Sequence, residues 1–259
     1  MNQPSIDNTK GGEASGFRTL PPPQKEYSGP KLPSLSAFMP AYNEEANIRW
    51  VAEDVLSKLR QVTDDLELII VNDGSKDHTG EIIDNLARDY PEIVAKHHPE
   101  NRGYGAALRT GFSCCRKEYI FYTDGDGQFD AAEIASLIPL IRDADVVSAY
   151  RVDRKDPFVR KLNAWLYNVF LLIFFRLHIR DVDCAFKLYR AEFFDKVELK
   201  SDGALIDAEV LIKLKKAGAR IAQVGVHHYP RLVGEQTGSK LKVILKTARE
   251  IRANWRDLV

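Results

Sequence analysis

The segment "EYIFYTDGDGQFD", Glu118–Asp130, joins an apolar run to a turn that holds three aspartates. The apolar run is typical of a buried strand. Carboxylates that lie close to one another repel, so a strand that ends in them needs a cation, or a ligand that can use them. The segment therefore predicts a buried strand whose carboxyl end forms part of a binding site.

Similar apolar runs recur along the chain and alternate with helical patterns. The runs cover Ser34–Met39, Leu66–Val71, Glu92–His97, Lys117–Tyr122 and Ala144–Tyr150. Between the first two, Glu44–Gln61 repeats apolar residues at helical spacing. These residues are Ile48, Val51, Val55 and Leu59. Strands that alternate with helices predict an α/β fold, with a mostly parallel central sheet and helices on both faces.

Four of these runs are followed by polar, turn-forming residues. The segments are Pro40–Glu45, Asn72–Thr79, His98–Gly105 and Tyr122–Asp130. In a parallel sheet the carboxyl ends of the strands meet at one edge, and ligands bind there. The sequence therefore predicts that the four segments lie together and form a single site.

The bulk composition excludes several classes of protein. The 259 residues include 37 basic and 37 acidic side chains, so no overall charge attracts nucleic acid. The three cysteines include the adjacent pair Cys114 and Cys115, which suits neither a disulfide framework nor a spaced zinc site. We expect Cys184 to be a small buried apolar residue. A reducing cytoplasmic compartment fits this cysteine content best.

Three segments bear on order and on membranes. Residues 1–33 are rich in Gly, Pro, Ser and Lys and are predicted to form a disordered tail, and we expect no signal peptide. The most apolar run, Trp165–Phe175, is too short to span a bilayer and predicts a core helix, a helix at the bilayer surface or the wall of a prenyl groove. The C-terminal segment Ser239–Leu258 has an apolar and a basic face. It suits either an anionic membrane surface or a core-facing helix with a solvated side.

The aspartate-rich turn has three interpretations. An EF-hand is excluded, because Phe129 stands where that loop needs glycine and Ala135 where it needs a bidentate glutamate. A turn that caps a helix starting near Ala131 is one alternative. The favoured interpretation is that Asp124 and Asp126 hold Mg²⁺ or Mn²⁺ on a diphosphate, since magnesium is commonly bound by one or two carboxylates plus phosphate oxygens.

Taken in order and spacing, the four strand-end segments resemble those of family 2 glycosyltransferases, which have the GT-A fold. Two later segments narrow this, "DVDCAFKLYR" (Asp181–Arg190) and "HHYPRLVGEQTGSK" (His227–Lys240). They are similar to the dolichyl- and polyprenyl-phosphate sugar transferase branch, which includes dolichyl-phosphate mannosyltransferases. The resemblance covers about residues 34–242 and implies one GT-A domain there. Residues 243–259 are then the remainder of a basic amphipathic C-terminal helix.

The resemblance implies a donor site for a nucleotide diphosphate sugar, a GDP- or UDP-hexose. Asp126, with Asp124 beside it, would reach Mg²⁺ or Mn²⁺, and Gln128 would lie next to the diphosphate. The other implied donor residues are Pro40, Tyr42 and Glu44 in the nucleotide pocket, and Asp73 at the base or ribose.

The resemblance also implies residues that bind the phosphate of a polyprenyl acceptor. These are Arg151, Arg160, Arg231 and Lys240. In this chain "GEQTGSK" is three residues longer than the usual Gly-Glu-Ser-Lys of the family. Solvated surface charge is the alternative for Arg151 and Arg160. Asp207 and Glu209 lie two positions apart and do not share a helix face, so we expect one to meet the sugar and the other the solvent.

Together these residues predict an inverting transfer of a hexose to a dolichyl or undecaprenyl phosphate. The expected location is cytoplasmic and peripheral, at the inner face of the membrane, with or without a membrane-protein partner and with no nucleic acid. Two alternatives stay open: transfer to a hydroxyl group of a glycan or lipid, and a non-catalytic nucleotide-sugar-binding protein. A hydroxyl acceptor would need a base such as Asp207. His227 and His228 are expected to pack or to face solvent rather than to catalyse.

Overall fold

The computed structural model describes residues 27–152, 158–230 and 241–258, and the predicted tail falls outside these ranges as far as residue 26. The described strands are β1 (Leu35–Ala41), β2 (Leu66–Asn72), β3 (Ile93–His97), β4 (Tyr119–Thr123), β5 (Val146–Val152), β6 (Phe186–Arg190) and β7 (Ile221–His227). The described α-helices are α1 (Ile48–Val62), α2 (Thr79–Asp89), α3 (Tyr104–Cys114), α4 (Ile134–Leu137), α5 (Phe158–Phe175), α6 (Ile206–Lys216) and α7 (Leu241–Leu258).

The strands form a single sheet in the order β3-β2-β1-β4-β6-β5-β7. β6 runs antiparallel to its neighbours β4 and β5, and the other paired strands run parallel. The five predicted apolar runs fall on β1 to β5, with small shifts at their ends. The prediction of an α/β fold with a mostly parallel sheet is therefore confirmed.

The sheet has a hydrophobic core on each face, and β1 contributes to both. Ala37 and Met39 pack in the core that contains α1, whereas Phe38 packs in the core that contains α3 and α6. This alternation follows from the period of two along a strand. Because both faces are covered, β1 is apolar at nearly every position, as expected for a central parallel strand.

Two glycines of α3 allow it to lie very close to its neighbours. A Cβ atom on Gly111 would come within 2.2 Å of the Phe38 ring. A Cβ atom on Gly105 would come within 2.6 Å of the carbonyl oxygens of Ser201 and Gly203. The start of α3 thus lies against the segment that precedes α6, and its last turn lies against the sheet.

Packing against the core includes residues before Ser34. Leu32 is buried and pairs with Thr63, at the end of α1. The Leu32 amide also donates a hydrogen bond to the carbonyl oxygen of Val62 at 2.8 Å. These contacts join the last residues of the predicted tail to the edge of the α/β core.

Helix α5 turns an apolar face toward solvent. Its exposed side chains are Trp165, Leu166, Leu172, Ile173 and Phe174. Leu171 is buried, and Trp255 of α7 packs against Phe174 and Phe175 with ring centroids 5.7 and 5.5 Å apart. The exposure excludes a core helix as the sole role of this run. In the part of the chain that the structure describes, no helix has the length and apolarity to cross a membrane.

Candidate active site

The carboxyl ends of β1, β2 and β4 lie side by side at one edge of the sheet. Ala41 is in register with Asn72, and Phe38 is in register with Tyr122. The Asp73 amide continues the ladder by donating to the carbonyl oxygen of Ala41 at 2.9 Å. The prediction that the strand-end segments converge is therefore confirmed.

The segment after β1 presents its residues in different directions. Tyr42 is 40% exposed, so its ring is accessible at the edge of the sheet. Glu44 is buried, and one of its carboxylate oxygens accepts a hydrogen bond from the Asn47 side chain at 2.9 Å. Pro40 is partly buried and lies within β1. Of the three predicted nucleotide-pocket residues, Tyr42 is the most accessible.

Asp73, directly after β2, holds the segment that follows β3. Its carboxylate accepts hydrogen bonds from the amides of Arg102 at 3.0 Å and Gly103 at 2.9 Å, and it contacts His98 Nδ1 at 2.7 Å. Gly103 has a φ of 103°, and a Cβ atom there would come within 2.6 Å of the Asp202 carbonyl oxygen. Asp73 therefore holds a loop in which position 103 requires glycine. Its contact with a base or ribose stays a prediction.

The turn after β4 opens an acidic cluster, which we define as Asp124, Asp126, Asp183 and Asp207. Burial raises the pKa of Asp124 well above its usual value, and the charges of Asp126 and Asp207 raise it further. Burial also raises the pKa of Asp126, although the backbone amide of Gln128, 3.1 Å away, lowers it in part. The charges of Lys187 and Arg151 lower the pKa of Asp124 in part, but burial and the neighbouring carboxylates have the larger effect.

The donor atoms of this turn fit a hard divalent cation. Among the described residues, no group of three or more His, Cys, Asp or Glu side chains is arranged around a point that could hold a metal ion. Magnesium is commonly bound by one or two carboxylates, with phosphate oxygens and water as its other ligands. Asp124 and Asp126 therefore suit an ion that arrives with a diphosphate better than a site closed by protein alone.

Gln128 joins this turn to the segment after β7. Its side-chain amide donates to the Tyr229 carbonyl oxygen at 2.9 Å, and the Tyr229 amide donates back to the Gln128 carbonyl oxygen at 2.8 Å. The Phe129 ring meets His228 edge-on, with centroids 5.0 Å apart. The chain just before Arg231 is thereby anchored beside the acidic cluster. Arg231 and Lys240 themselves lie outside the described residues.

Arg151 is committed to a protein partner. Its Nε and one terminal nitrogen lie 2.7 and 2.8 Å from the two carboxylate oxygens of Asp181, and its side chain is only 10% exposed. Burial alone would lower the pKa of Arg151, but its hydrogen bonds and charge pairing with Asp181 raise it instead. The alternative of a solvated surface charge is therefore wrong for Arg151. Arg160 lies in α5, and its side chain is outside the described residues.

Asp207 is buried in the first turn of α6 and pairs with a lysine that the sequence analysis missed. Lys187 Nζ donates to an Asp207 carboxylate oxygen at 2.9 Å and to the Cys184 carbonyl oxygen at 2.6 Å. Lys187 lies between Phe186 and Leu188 on β6 and is fully buried. Its position inside an apolar strand was the one feature of the sequence that could have indicated a buried, paired lysine.

The expectation that one of Asp207 and Glu209 would be solvated is wrong. Glu209 is buried and accepts hydrogen bonds from the amides of Lys200 at 2.9 Å and Ser201 at 2.8 Å. It also contacts Lys213 Nζ at 2.6 Å. Helix α6 is buried around most of its circumference, so residues on different faces of it can both be enclosed.

The remaining predictions concern His227, His228 and Cys184. The His227 side chain is exposed and contacts Glu133 at 3.1 Å, whereas His228 packs on Phe129. Both histidines therefore pack or face solvent, as expected. Cys184 is fully buried in the core, which confirms the interpretation of that residue as a small apolar one.

Comparison with known proteins agrees with this geometry. The family model "Glycosyl transferase family 2" matches residues 36–198. Dolichyl-phosphate beta-glucosyltransferase ALG5A from Trichomonas vaginalis is 30% identical over 261 residues, which cover 93% of this chain and 76% of that protein. An undecaprenyl-phosphate 4-deoxy-4-formamido-L-arabinose transferase from Photorhabdus laumondii is 27% identical, with coverage of 83% of this chain and 65% of that one.

A solved structure shows the same fold. The complex of glucosyl-3-phosphoglycerate synthase from Mycobacterium tuberculosis with Mn²⁺ and UDP-glucose has a TM-score of 0.66 at 18% identity. The match covers 87% of this chain and 79% of that one. This likeness confirms the GT-A-type fold. The chain therefore belongs to glycosyl transferase family 2, and its sequence relatives lie in the polyprenyl-phosphate sugar transferase branch of that family.

Proposed function

We propose that the chain transfers a hexose from a nucleotide diphosphate sugar to a polyprenyl phosphate, with inversion at the anomeric carbon. The observation that carries this proposal is the Asp124–Asp126 pair at the carboxyl end of β4, beside the ends of β1 and β2. Its place in a family 2 glycosyltransferase supports a nucleotide-sugar donor. The names of the relatives, which include dolichyl- and undecaprenyl-phosphate sugar transferases, support a polyprenyl phosphate acceptor.

The donor half of the reaction depends on control of charge. Asp124 and Asp126 would hold Mg²⁺ or Mn²⁺, and such an ion neutralises charge on a departing diphosphate. The related synthase that was solved with Mn²⁺ and UDP-glucose supports this choice of ion and donor class. Gln128 is held by Tyr229, so it keeps the turn in a fixed position beside the diphosphate. Tyr42 offers an exposed ring against which the nucleotide can pack.

The acceptor half needs cations more than a base. A phosphate monoester has a second pKa of about 6 and is already ionised at neutral pH. Arg160, Arg231 and Lys240 are the residues we propose for its recognition, whereas Arg151, whose guanidinium group already binds Asp181, would contribute its charge. Guanidinium groups suit that role because they bind phosphate through two parallel hydrogen bonds.

A hydroxyl acceptor is less well supported by the geometry. That reaction would require a carboxylate such as Asp207 to accept a proton. Asp207 is buried, and its carboxylate already accepts a hydrogen bond from the Lys187 ammonium group, so it is engaged with a protein partner and not with an acceptor. A non-catalytic role is also less well supported, because both carboxylates of the metal-binding pair are present.

Helices α5 and α7 support a peripheral position at a membrane. The exposed aromatic and aliphatic face of α5 lies beside α7, whose exposed residues include Arg249, Arg252 and Arg256. Apolar side chains flanked by basic ones are typical of helices that lie on an anionic bilayer surface. We propose that this surface brings the site to its lipid substrate at the inner face of the membrane.

The test is a substrate panel. The chain should be incubated with UDP- and GDP-hexoses, short polyprenyl phosphates and Mg²⁺ or Mn²⁺, and any glycolipid identified by mass. A mass increase of one hexose on the polyprenyl phosphate is the expected result. Transfer only to a lipid or glycan that carries a hydroxyl group would support the alternative instead. Failure to bind any nucleotide sugar by calorimetry would refute the proposal.

Arg231→Ala tests the acceptor half separately. Loss of one hydrogen bond to a charged group should weaken use of the acceptor by about tenfold to a hundredfold. Donor affinity, measured by calorimetry with metal present, should stay within about twofold. A loss of donor affinity with unchanged dependence on the acceptor would reassign Arg231 to the diphosphate.

A further inference from the structure

Lys187 places a buried positive charge directly behind the acidic cluster. It is on β6, has no accessible surface, and donates to Asp207 and to the Cys184 carbonyl oxygen. The Tyr122 ring lies 5.5 Å from its ammonium nitrogen, and the Tyr122 hydroxyl is 3.5 Å from a carboxylate oxygen of Asp124. Tyr122 therefore contacts both Lys187 and the turn that holds Asp124.

Stability gives little reason for a lysine at this position. Burial of an ion pair is costly, and replacement of such a pair by apolar residues of similar volume is often neutral or stabilising. The flanking residues of β6, Phe186 and Leu188, are fully buried apolar side chains, so an apolar residue would suit the strand. A fully buried ammonium group that contacts one carboxylate of the cluster therefore points to a role in the site.

The partner carboxylate, Asp207, is connected through Lys187 and Tyr122 to Asp124 and to the part-buried Tyr104 of α3. Burial raises the pKa of Tyr104 well above its usual value, and the charges of Asp124, Asp207 and Asp183 raise it further. The charges of three carboxylates of the acidic cluster thus act on Tyr104, whose hydroxyl contacts the Tyr122 hydroxyl. A donor with its diphosphate at Asp124 would have its sugar on the side of this turn where Asp207 lies.

We propose that Lys187 is a positioning residue for the donor sugar: it holds the Asp207 carboxylate in one orientation, in which Asp207 accepts a hydrogen bond from a hydroxyl group of the transferred hexose. The inference rests on the proposed function and deepens it. It assigns sugar recognition to Asp207 and gives Lys187 no contact with the substrate. Its consequence is that Lys187 affects the sugar part of the donor and not the nucleotide part.

Helix α6 offers a matched control. Lys213 and Glu209 form a second enclosed pair, with a contact of 2.6 Å and side chains that are 10% and 0% exposed. The Glu209 carboxylate also accepts hydrogen bonds from the amides of Lys200 and Ser201. This pair has the same chemistry and burial as the Lys187–Asp207 pair, but its partners are backbone groups of a loop.

The experiment compares Lys187→Met with Lys213→Met. Calorimetry measures affinity for the nucleotide sugar that the wild-type chain uses, UDP-glucose or GDP-mannose, and for the matching nucleoside diphosphate. Lys187→Met should weaken binding of the nucleotide sugar by about tenfold or more, and binding of the nucleoside diphosphate by no more than about twofold. Lys213→Met should lower the melting temperature but leave the ratio of the two affinities unchanged.

Equal loss of both affinities in Lys187→Met, or an unchanged ratio, would overturn the inference. If Lys187→Met does not fold, the apolar pair Lys187→Met with Asp207→Leu replaces it. Because Lys187 acts through Asp207, the double variant should lose as much affinity for the nucleotide sugar as Asp207→Asn alone. A larger loss in the double variant would also overturn the inference. So would unchanged affinity in both variants. Wild-type protein that transfers no hexose to a polyprenyl phosphate would refute the proposed function, whereas active wild-type protein with an unchanged ratio would refute only the role of Lys187.

Discussion

The ends of β2 and β4 lie at the same edge of the sheet and use their aspartates in opposite ways. Asp73, after β2, is enclosed by two backbone amides and an imidazole. Asp124 and Asp126, after β4, lie close enough together that burial and mutual repulsion raise the pKa of Asp124. A carboxylate whose hydrogen bonds come from the protein supports the fold. A pair whose pKa values are raised despite such hydrogen bonds carries charge that a ligand with positive charge would neutralise.

The largest expected effect is on stability, and it comes from the enclosed carboxylate. Asp73→Ala should lower the free energy of unfolding by about 3–5 kcal/mol, because it leaves two amides and His98 without their buried partner. Urea denaturation measures this loss. Asp84→Ala is the control, since Asp84 contacts His97 at 3.0 Å in an exposed His–Asp pair. Its cost should be within about 0.5 kcal/mol. Similar losses in the two variants would break the comparison.

The next largest effect is on the rate of the reaction, and it comes from the Asp124–Asp126 pair. Asp126→Asn should lower the rate of hexose transfer by about 100-fold or more. EDTA added to the wild-type chain should act in the same way. Asp130→Asn is the control in the same turn: the Asp130 side chain accepts from the Ala132 amide at 3.0 Å, and asparagine also caps such positions well. Full activity of Asp126→Asn would remove that residue from the metal-binding role.

A smaller effect concerns pH. Burial would raise the pKa of Glu209, but hydrogen bonds from Lys213, Ser201 and Lys200 lower it below its usual value. A depressed pKa in the folded state stabilises the protein above the unfolded pKa of about 4.3, and this contribution is lost as the pH falls through the folded value. Glu209→Gln should therefore be less stable than wild type at pH 7. Thermal melts should show that difference shrinking below pH 4 or so.

The smallest effect has the opposite sign. The pKa of Asp126 is raised in the folded state, so its charge destabilises the fold at neutral pH, and the cost disappears as the pH falls. In EDTA, Asp126→Asn should raise the free energy of unfolding by about 0.5–1 kcal/mol at pH 7. Added Mn²⁺ should stabilise the wild-type chain more than the variant. A less stable variant in EDTA would show that Asp126 supports the fold as Asp73 does.

The features that could be predicted were those that depend on residues close together in the sequence. The buried strands are continuous apolar runs, and Ile48, Val51, Val55 and Leu59 all lie on the buried face of α1. The aspartates after β4 were visible as a cluster in the sequence. The convergence of strand ends followed from the rule that parallel strands present their carboxyl ends at one edge.

The parts that could not be predicted depend on pairs of residues far apart in the chain. Arg151 and Asp181 are 30 positions apart, so no local pattern shows that they meet. Gln128 and Tyr229 are 101 positions apart. The burial of Glu209 depends on the loop before α6, and the pairing of Asp207 depends on the reversed direction of β6. In each case tertiary contacts decide the role of a polar side chain, and local periodicity does not contain them.

The reversed strand β6 has a consequence for how such a chain can diverge. Because β6 is antiparallel, its first residue, Phe186, pairs with Thr123 at the edge where β5 ends. The chain between Val152 and Phe186, which includes α5, therefore departs from this edge and returns to it. The Arg151–Asp181 ion pair closes its base. Such an excursion can be lengthened, shortened or exchanged without any change in the pairing of β1, β2, β3 and β4, whose carboxyl ends carry Asp73, Asp124 and Asp126.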